Sequence, residues 1–259
     1  MYAEERQRAI LGRVARDGKV SVEQLVEELG VTAPTIRTDL AALETRRLLR
    51  RTHGGAIAPE TTLYEPPYAE RERARQGEKA RIGTAAAARV QDHETVLLDA
   101  GTTTYEIAVR LKERVGLTVV TNSLEAAWEL MDAPPGHLDV VVVGGAVHAR
   151  RRATLGPLAA DFLGSIQVDR AFIGINGAHE TAGWTVVDFD AAQVKRAMMA
   201  QAREIVVVAD ASKLGAAAFA RVAPLSAAHV LVTDTAPDSP LADALSAAGV
   251  EVVVAPAGG

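Results

Sequence analysis

The residues with the clearest chemical potential lie in one short stretch, VLLDAGTTTYEIA, which spans residues 96–108. Asp99 ends an apolar run, Gly101 permits a tight turn, and three threonines (102–104) follow where a helix is predicted to begin. The first N–H groups of a helix have no partner inside that helix, so its N-terminus attracts anions. The threonine hydroxyls would add further donors. The stretch therefore predicts an anion-binding site.

Polar residues and glycines follow four other apolar runs in the same way. In a mostly parallel sheet the carboxyl ends of the strands meet at one edge, and ligands bind there. Threonine and serine at a helix start are more often caps than ligand groups, so each position alone has a structural explanation. Five polar strand ends together favour a shared pocket for an anionic ligand. Besides the first stretch, these ends contain Thr121, Asn122, Ser123, Gly144, Gly145, Gly174, Asn176, Gly177, His179, Asp210, Ser212 and Lys213.

Two familiar phosphate-binding motifs are missing from the sequence. A P-loop requires Gly-x4-Gly-Lys-Ser/Thr, which does not occur, and DAGTTT lacks the three glycines of a dinucleotide fingerprint. The six histidines show no metal-ligand spacing. We therefore expect no cofactor and no metal.

The elements around the predicted site indicate an α/β fold. Apolar, β-branched runs occur at TVLLDA, LTVVTN, LDVVVVGG, RAFIGING, EIVVVAD, HVLVTD and VEVVVAP, with helical patterns between them. Runs that are apolar throughout predict strands buried on both faces, and hence a mostly parallel, Rossmann-like sheet. This domain is expected over 78–259. Prolines and the lack of apolar periodicity predict a linker or docking arm over 59–77, which becomes helical near Glu70.

Composition limits the class of protein. No apolar run approaches the roughly 18–20 residues of a membrane span, and the chain has no cysteine. We expect a cytoplasmic protein with no membrane partner. Residues 1–57 contain ten Lys and Arg against eight Asp and Glu, whereas the remaining residues contain 18 against 25. A basic segment on an acidic body is typical of a DNA-binding head, although charge alone equally fits a solvated face.

Residues 1–58 show the pattern of a winged helix-turn-helix. Ser21 and Gln24 form a capping box at the second helix, and Gly30 ends that helix. A third helix begins at once, and RRLLRRTHGGAI predicts a strand and a wing. A three-helix protein-interaction module remains the alternative. The residues predicted to contact DNA are Thr32, Pro34, Thr35, Arg37, Thr38, Arg46, Arg47, Arg50, Arg51 and His53.

These motifs resemble those of the DeoR family of bacterial sugar-metabolism repressors. In the N-terminal part, residues 4 to 58, the matching pieces are ILGRVARDGKVSVEQLVEELGVT, TIRTDL and RRTHGGA. From about Glu78 to Gly215 they are EKARIG, LLDAGTTT, VVTNS, VVVGG, LGPLAADFL, DRAFIGINGA, VKRAMM and VADASKLG. The chain departs from the family in two places: Thr38 replaces a basic residue, and Ala191 stands where an acidic residue is usual, with Asp188 and Asp190 as candidate substitutes.

The resemblance implies a sensor domain similar to ribose-5-phosphate isomerase and the glucosamine-phosphate deaminases, with a phosphorylated sugar as its effector. It implies that Gly101, Thr102 and Thr103 hold the phosphate. It also places Lys79, Asp99, Asn122, Lys195, Asp210 and Lys213 near the effector. With the strand ends added, the predicted effector-binding residues are Lys79, Asp99, Gly101, Thr102, Thr103, Thr104, Asn122, Gly144, Gly145, Asn176, Gly177, Lys195, Asp210 and Lys213.

An isomerase is the competing hypothesis, because the same pocket would serve catalysis if it held a base. The isomerases that the fold resembles carry an Asp-Gly-Ala-Asp-Glu type of stretch after the fourth strand, whereas this chain has NGAHE. Asn176 cannot accept a proton at neutral pH, which leaves His179 and Glu180 as the alternative bases. We expect a regulator and not an enzyme. Because one recognition helix reads few base pairs, we expect a homodimer or homotetramer on an operator.

Overall fold

The computed structural model describes residues 2–45, 48–57 and 65–257, with the backbone alone at residues 15 and 16. The chain divides into two compact units, Met1–Pro66 and Pro67–Gly259. Residues 58–64 lie outside the described ranges. The predicted limits of the arm over 59–77 therefore stay a prediction.

The first unit contains three helices and three short strands. In chain order these are α1 (Ala3–Asp17), β1 (Lys19–Ser21), α2 (Val22–Leu29), α3 (Ala33–Thr45), β2 (Arg50–Thr52) and β3 (Gly55–Ile57). The strands form an antiparallel sheet in the order β1-β3-β2. This is the predicted winged helix-turn-helix, with one additional strand, β1, that was not predicted.

Local chemistry explains the ends of these elements. Ser21 Oγ accepts from the Gln24 backbone N–H at 3.1 Å, and Gln24 Oε1 accepts from the Ser21 backbone N–H at 3.1 Å, which confirms the capping box. Gly30 ends α2 in the left-handed region at φ 63°. In the wing, a Cβ on Gly55 would lie 2.0 Å from the Val20 carbonyl oxygen, so only glycine allows β3 to approach β1.

A buried carboxylate joins α1 to α3. Asp39 is only 3% exposed, pairs with Arg6 and accepts from Gln7 Nε2 at 3.2 Å. Around it, ten buried apolar residues form the core of the unit, including Ile10, Ile36 and Leu40. The outward side of α3 is thereby fixed relative to α1.

The second unit begins with two helices and continues as an α/β sheet. Its first elements are α4 (Tyr68–Arg73), α5 (Gln76–Ala87), β4 (Thr95–Leu98), α6 (Thr102–Leu111), β5 (Leu117–Thr121), α7 (Leu124–Leu130), β6 (Leu138–Val142), β7 (Ala146–His148), β8 (Ala153–Leu155) and α8 (Pro157–Leu163). Its remaining elements are β9 (Val168–Gly174), β10 (Gly177–His179), β11 (Gly183–Val186), α9 (Phe189–Ala200), β12 (Ala202–Val208), β13 (Ala220–Ala223), β14 (Val230–Thr233), α10 (Ser239–Ala247) and β15 (Glu251–Val254).

Seven strands form one sheet in the order β15-β14-β12-β9-β4-β5-β6, and every pairing is parallel. All seven predicted strands are in it, which confirms the mostly parallel fold. Alternate residues of the central strands enter separate cores: Leu97, Ile173 and Val207 pack into one, while Leu98 and Phe172 pack into the other. The carboxyl ends of β4, β5, β9 and β12 meet at one edge.

Two predictions about the strands were incomplete. The expectation of burial on both faces is wrong for the edge strands, because Val141 and Val142 on β6 and Val252 and Val254 on β15 are exposed. The hairpin β7-β8 and the small antiparallel sheet β10-β11-β13 were not predicted, since their strands are only three or four residues long. Within the described ranges, no helix has both the length and the apolarity of a membrane span.

Separate cores predict that the two units lose stability separately. Leu40 in α3 is 1% exposed and Leu163 in α8 is fully buried. We expect Leu40→Ala to lower the free energy of unfolding of the first unit by about 2–5 kcal/mol, because a cavity replaces buried atoms. Leu163→Ala should lower that of the second unit by a similar amount. Urea unfolding followed by hydrogen exchange assigns each transition, and an equal loss of protection in both units from either variant would contradict the division.

Candidate functional site

The predicted recognition surface in the first unit consists of α3 and the β2-β3 wing. Thr32 precedes α3, and Pro34 lies in its first turn, where a missing N–H costs nothing. The Thr32 and Thr35 hydroxyls bond each other at 2.9 Å, and Thr38 donates to the Pro34 carbonyl at 3.0 Å. Arg37 is exposed and forms no ion pair within the described ranges. Its predicted contact with a base edge stays a prediction.

The wing carries the remaining predicted DNA contacts that the structure describes. Arg50 and Arg51 are exposed on β2, and His53 lies in the two-residue turn before β3. The Arg51 N–H donates to Glu44 Oε1 at 2.8 Å, which ties β2 to the end of α3. Arg46 and Arg47 lie outside the described residues, so their predicted phosphate contacts stay predictions.

In the second unit, a buried ion pair joins two of the polar strand ends to α9. Asp99, which follows β4, is 2% exposed and pairs through Oδ2 with Lys195 of α9, itself 8% exposed. The same oxygen accepts from the N–H of Gly174 at the end of β9, at 2.9 Å. The other oxygen, Oδ1, makes no hydrogen bond within the described ranges. Asp99 therefore has one oxygen fixed by the fold and one available to a ligand.

Asn122 fixes the neighbouring strand end. Its side chain is fully buried, accepts from the Ala100 N–H at 2.8 Å and donates to the Thr154 carbonyl at 3.0 Å. Because both ends of the amide are used, Asn122 holds the loop before α6 in place. Its role in this structure is to position other groups.

The start of α6 has the properties expected of an anion site. Gly101 precedes the helix without a side-chain cap, so the first N–H groups of α6 have no partner from that position. Thr104 donates to the Gly101 carbonyl at 3.1 Å, which assigns its hydroxyl to the helix itself. The Thr102 and Thr103 hydroxyls make no hydrogen bond within the described ranges. Two of the three threonines thus have donors to offer.

Charged residues from α5 gather at the same end of the sheet. Gly83 lies against Glu106, and Arg110 Nε donates to Thr84 Oγ1 at 2.5 Å, so α5 and α6 run side by side with their starts together. Lys79 in the first turn of α5 is 5% exposed. Its ammonium group donates to the carbonyls of Arg71 and Ala74, the latter at 2.5 Å, and so closes the C-terminus of α4.

Asp210 is the centre of this charged group. It follows β12, is 4% exposed, accepts from the Ser212 N–H at 3.0 Å and lies 3.6 Å from Arg75 Nε. Burial raises the pKa of Asp210, but the charges of Lys213 and Arg75 and the Ser212 hydrogen bonds outweigh it, so the pKa is lowered. Burial lowers the pKa of Lys79 to about 8, assisted by Lys213 and opposed by Asp210.

Packing accounts for several of the predicted glycines. A Cβ on Gly177 would lie 2.4 Å from the Ala216 carbonyl, and one on Gly145 would lie 3.0 Å from the Leu155 carbonyl. Gly144 has open space around it. The Asn176 N–H donates to the Thr185 carbonyl at 2.9 Å, as part of the β10-β11 hairpin. Ligand contacts at these four positions remain predictions.

Several residues at this edge were missed by the sequence reading. Tyr68 in α4 is 2% exposed, and the Arg152 guanidinium lies 5.0 Å from the centre of its ring. The Tyr68 N–H donates to the Arg150 carbonyl at 3.1 Å. Arg151 pairs with Asp188, the residue that caps α9 by accepting from the Ala191 N–H. The arginine run RRR at 150–152 was the available signal, together with Tyr68 directly after two prolines.

A cavity of about 380 Å³ lies beside the 211–215 loop, which also carries Lys213. It is lined by His179, Glu180, Ala211, Leu214, Gly215, Thr235, Ala236, Pro237, Asp238, Pro240 and Leu241. None of the fourteen predicted effector-binding residues is among them. Both side chains considered as substitute bases, His179 and Glu180, thus line this other cavity. No group of three or more possible metal ligands occurs within the described ranges.

Family comparisons match both units of this structure. The DeoR-like helix-turn-helix domain matches residues 6–62, and the DeoR C terminal sensor domain matches residues 74–235. The chain belongs to the DeoR family. It is therefore a DNA-binding transcriptional regulator and not an enzyme, as the sequence predicted.

Named relatives of this DeoR-family chain cover nearly its full length. It is 36% identical over 254 residues to the HTH-type transcriptional repressor GlcR of Bacillus subtilis (strain 168), covering 98% of this chain and 97% of the relative. It is 30% identical over 237 residues to the glycerol-3-phosphate regulon repressor of Escherichia coli (strain K12), covering 92% and 93%. Among solved structures, ribose 5-phosphate isomerase A from Methanocaldococcus jannaschii aligns with 54% of this chain and 55% of its own at 21% identity, with a TM-score of 0.40.

Burial of Lys79 predicts a pH-dependent stability of the sensor unit. The folded protein binds fewer protons than the unfolded chain between the folded pKa of about 8 and the ordinary value of 10.5. The contribution of Lys79 to the free energy of unfolding therefore rises with pH in that window, by on the order of 1–3 kcal/mol. Urea unfolding of the native protein and of Lys79→Met at pH 7.5 and pH 10 measures it.

The difference between the two proteins should grow towards pH 10, because other titrating groups act equally on both. Lys79→Arg is the charged control, since a guanidinium does not titrate in this range. It should also lack the rise. An equal rise in native protein and both variants would contradict the assignment to Lys79.

Proposed function

We propose that this regulator is a repressor of a sugar-metabolism operon, and that a phosphorylated sugar bound at the carboxyl edge of the sheet lowers its affinity for the operator. The observation that carries the proposal is the uncapped start of α6 beside the buried Asp99–Lys195 pair. The names of the relatives support it, since one is a repressor of the glycerol-3-phosphate regulon. We also propose the cytoplasm as its location, because that is where an operator is found.

Each part of the edge suits a part of such a ligand. The free N–H groups of α6 and the Thr102 and Thr103 hydroxyls suit the phosphate. Asp99 Oδ1 suits a sugar hydroxyl, because a carboxylate accepts but does not donate. Lys213 supplies positive charge near the phosphate, and Lys79 adds to it while it holds α4. No cofactor is needed for any of these contacts.

We further propose that α4 carries the signal towards the DNA-binding unit. It is the first helix after the boundary at Pro67, and its contacts lead to the charged edge. Lys79 closes its C-terminus, Arg75 follows it and faces Asp210, and Tyr68 within it packs on Arg152. A bound anion would attract Lys79 and Arg75 and so weaken their hold on α4. Coupling of about 1–3 kcal/mol, roughly 5–150-fold in operator affinity, is typical of such a device.

Binding to DNA from the region upstream of the gene tests the first half of the proposal. We expect salt-dependent binding, since phosphate contacts release counterions. Arg37→Ala should weaken binding to the specific site by about 1–3 kcal/mol and leave unrelated DNA unchanged, because the side chain meets a base. Arg50→Ala should weaken binding to all DNA alike and reduce the salt slope by about 1.

Arg8→Ala is the control for these variants, because Arg8 is an exposed arginine on α1. Fluorescence anisotropy at several salt concentrations measures all three. If Arg37→Ala weakened specific and unrelated DNA equally, α3 would not be the reading element. If the native protein showed no salt-dependent binding to DNA, the predicted DNA interface would be contradicted.

Thermal unfolding against a panel of sugar phosphates tests the second half. A true effector at about 100 times its dissociation constant should stabilise the protein by roughly 2.7 kcal/mol. Thr102→Ala combined with Lys213→Ala should abolish that shift and the release of DNA, while operator binding persists. The same measurement on inorganic phosphate separates recognition of the anion from recognition of the sugar.

The matched control is Glu180→Ala combined with Thr235→Ala, which changes the neighbouring cavity. It should leave the effector shift unchanged. A response that is lost in this control and kept in the Thr102/Lys213 variant would move the effector to that cavity. A protein that no sugar phosphate stabilises would overturn the effector class.

A further inference from the structure

An apolar surface surrounds the free edge of β6. Half of the twelve large apolar side chains that are exposed within the described ranges belong to this region. They are Trp128 (70% exposed), Met131 (63%), Val141 (36%), Val142 (46%), Val147 (63%) and Leu158 (71%). We refer to these six residues as the β6 surface.

Three elements next to β6 carry the other four residues of this surface. Trp128 and Met131 lie on and directly after α7, which packs against β6. Val147 lies on β7, whose three residues are all exposed. Gly145, just before β7, approaches Ala159 of α8, and Leu158 is the residue before that contact. An exposed apolar area of this extent is uncommon on a monomer and marks an interaction site.

The main chain of β6 also has an unused edge. Within the described ranges β6 pairs only with β5, so its other side presents unpaired N–H and C=O groups. Native proteins usually protect such an edge with charged residues, but the strand LDVVV contains one aspartate and three valines. The groups that best satisfy a strand edge are those of another strand.

The opposite edge of the sheet provides an internal comparison. β15 also ends the sheet, and its Val252 and Val254 are exposed to 36% and 45%, nearly the values of Val141 and Val142. The helix beside it, α10, buries Leu241 and Leu245 and has no large exposed apolar residue. Both β6 and β15 are edge strands with exposed valines. Within the described ranges, only β6 also has exposed large apolar residues on the neighbouring elements.

We propose that the β6 surface is the contact between two copies of this chain, related by a two-fold axis, with the two β6 strands side by side. The proposal deepens the proposed function, which needs more than one recognition helix on an operator. The six side chains offer roughly 600 Å² of the about 800 Å² that each partner of a standard interface buries.

A second copy fits the chemistry of this surface better than an unlike partner. A two-fold contact brings the same residues from both sides together, so an apolar patch with an unpaired strand edge complements itself. Asp139 is the one charged residue of β6, and in such a pairing it does not face Asp139 of the other copy. When two antiparallel copies of β6 pair about the central residue, Val140, Asp139 lies opposite Val141 of the other copy.

Single cysteines provide a direct test, because the native chain has none. We expect Val142→Cys to be linked into a covalent dimer by a short bis-maleimide in the full-length protein. Val254→Cys is the matched control, with the same residue type and exposure on the other edge strand. It should remain largely unlinked. Linkage at Val254 and not at Val142 would overturn the proposal.

Charge repulsion provides the second test. Sedimentation equilibrium of the native protein should give at least a dimer, and Trp128→Glu combined with Val142→Glu should halve the mass of the assembly. Val115→Glu combined with Val254→Glu, at two exposed valines outside the β6 surface, should leave the mass unchanged. A monomeric native protein, or an assembly that the first pair leaves intact, would overturn the proposal.

Two further readouts separate this inference from the proposed function. The dissociated variant should retain the full thermal shift with the effector, since the charged edge is untouched. Its operator affinity should fall by 10-fold or more. If the native protein is a monomer that still binds its operator and releases it with effector, the β6 inference fails and the proposed function stands. If the native protein is a dimer that shows no effector response, the proposed function fails and the β6 inference stands.

Discussion

The buried pair of Asp99 and Lys195 is the interaction on which the sensor edge depends. It joins the end of β4 to α9, and through the Gly174 N–H it also joins β9. The attraction between two buried charges offsets the free energy lost when they leave water. Removal of one partner leaves the other charge uncompensated and typically costs about 3–5 kcal/mol. Such a pair is a weak source of stability. What it provides is a fixed carboxylate with one open oxygen beside the uncapped start of α6.

The sequence predicted those parts of the fold that follow from local chemistry or from long apolar runs. The capping box at Ser21 and the glycine at the end of α2 depend only on neighbouring residues, and the structure confirms both. The seven strands were visible because their cores are apolar throughout. Short strands such as β7 and β10 carry too few residues for a period, and their pairing is set by residues far away in the chain.

The sequence predicted which residues lie at the candidate site, but not which contacts each of them makes. The sequence and the family resemblance singled out Asn122, Lys79 and Thr104, and the structure places all three at or near the edge with hydrogen bonds to the backbone. Which hydroxyl remains free depends on helix geometry: an i−3 carbonyl takes the Thr104 hydroxyl, while those of Thr102 and Thr103 have no such bond. The roles of Tyr68 and Arg152 depend on tertiary contact, which no spacing in the sequence reveals.

In the proposed mechanism, the same edge lets a small anion influence the DNA-binding unit. Lys79 is costly to bury as a cation, and the fold accepts this cost by giving its ammonium group the carbonyls at the end of α4. A negatively charged ligand would attract the Lys79 ammonium group and so weaken its bonds to the α4 carbonyls, without itself contacting α4. The groups that hold α4 and the groups that suit the anion thus share the positive charge at this edge. The proposed sensor needs no moving lid, because the positive charge that would bind the anion is also the charge that holds α4.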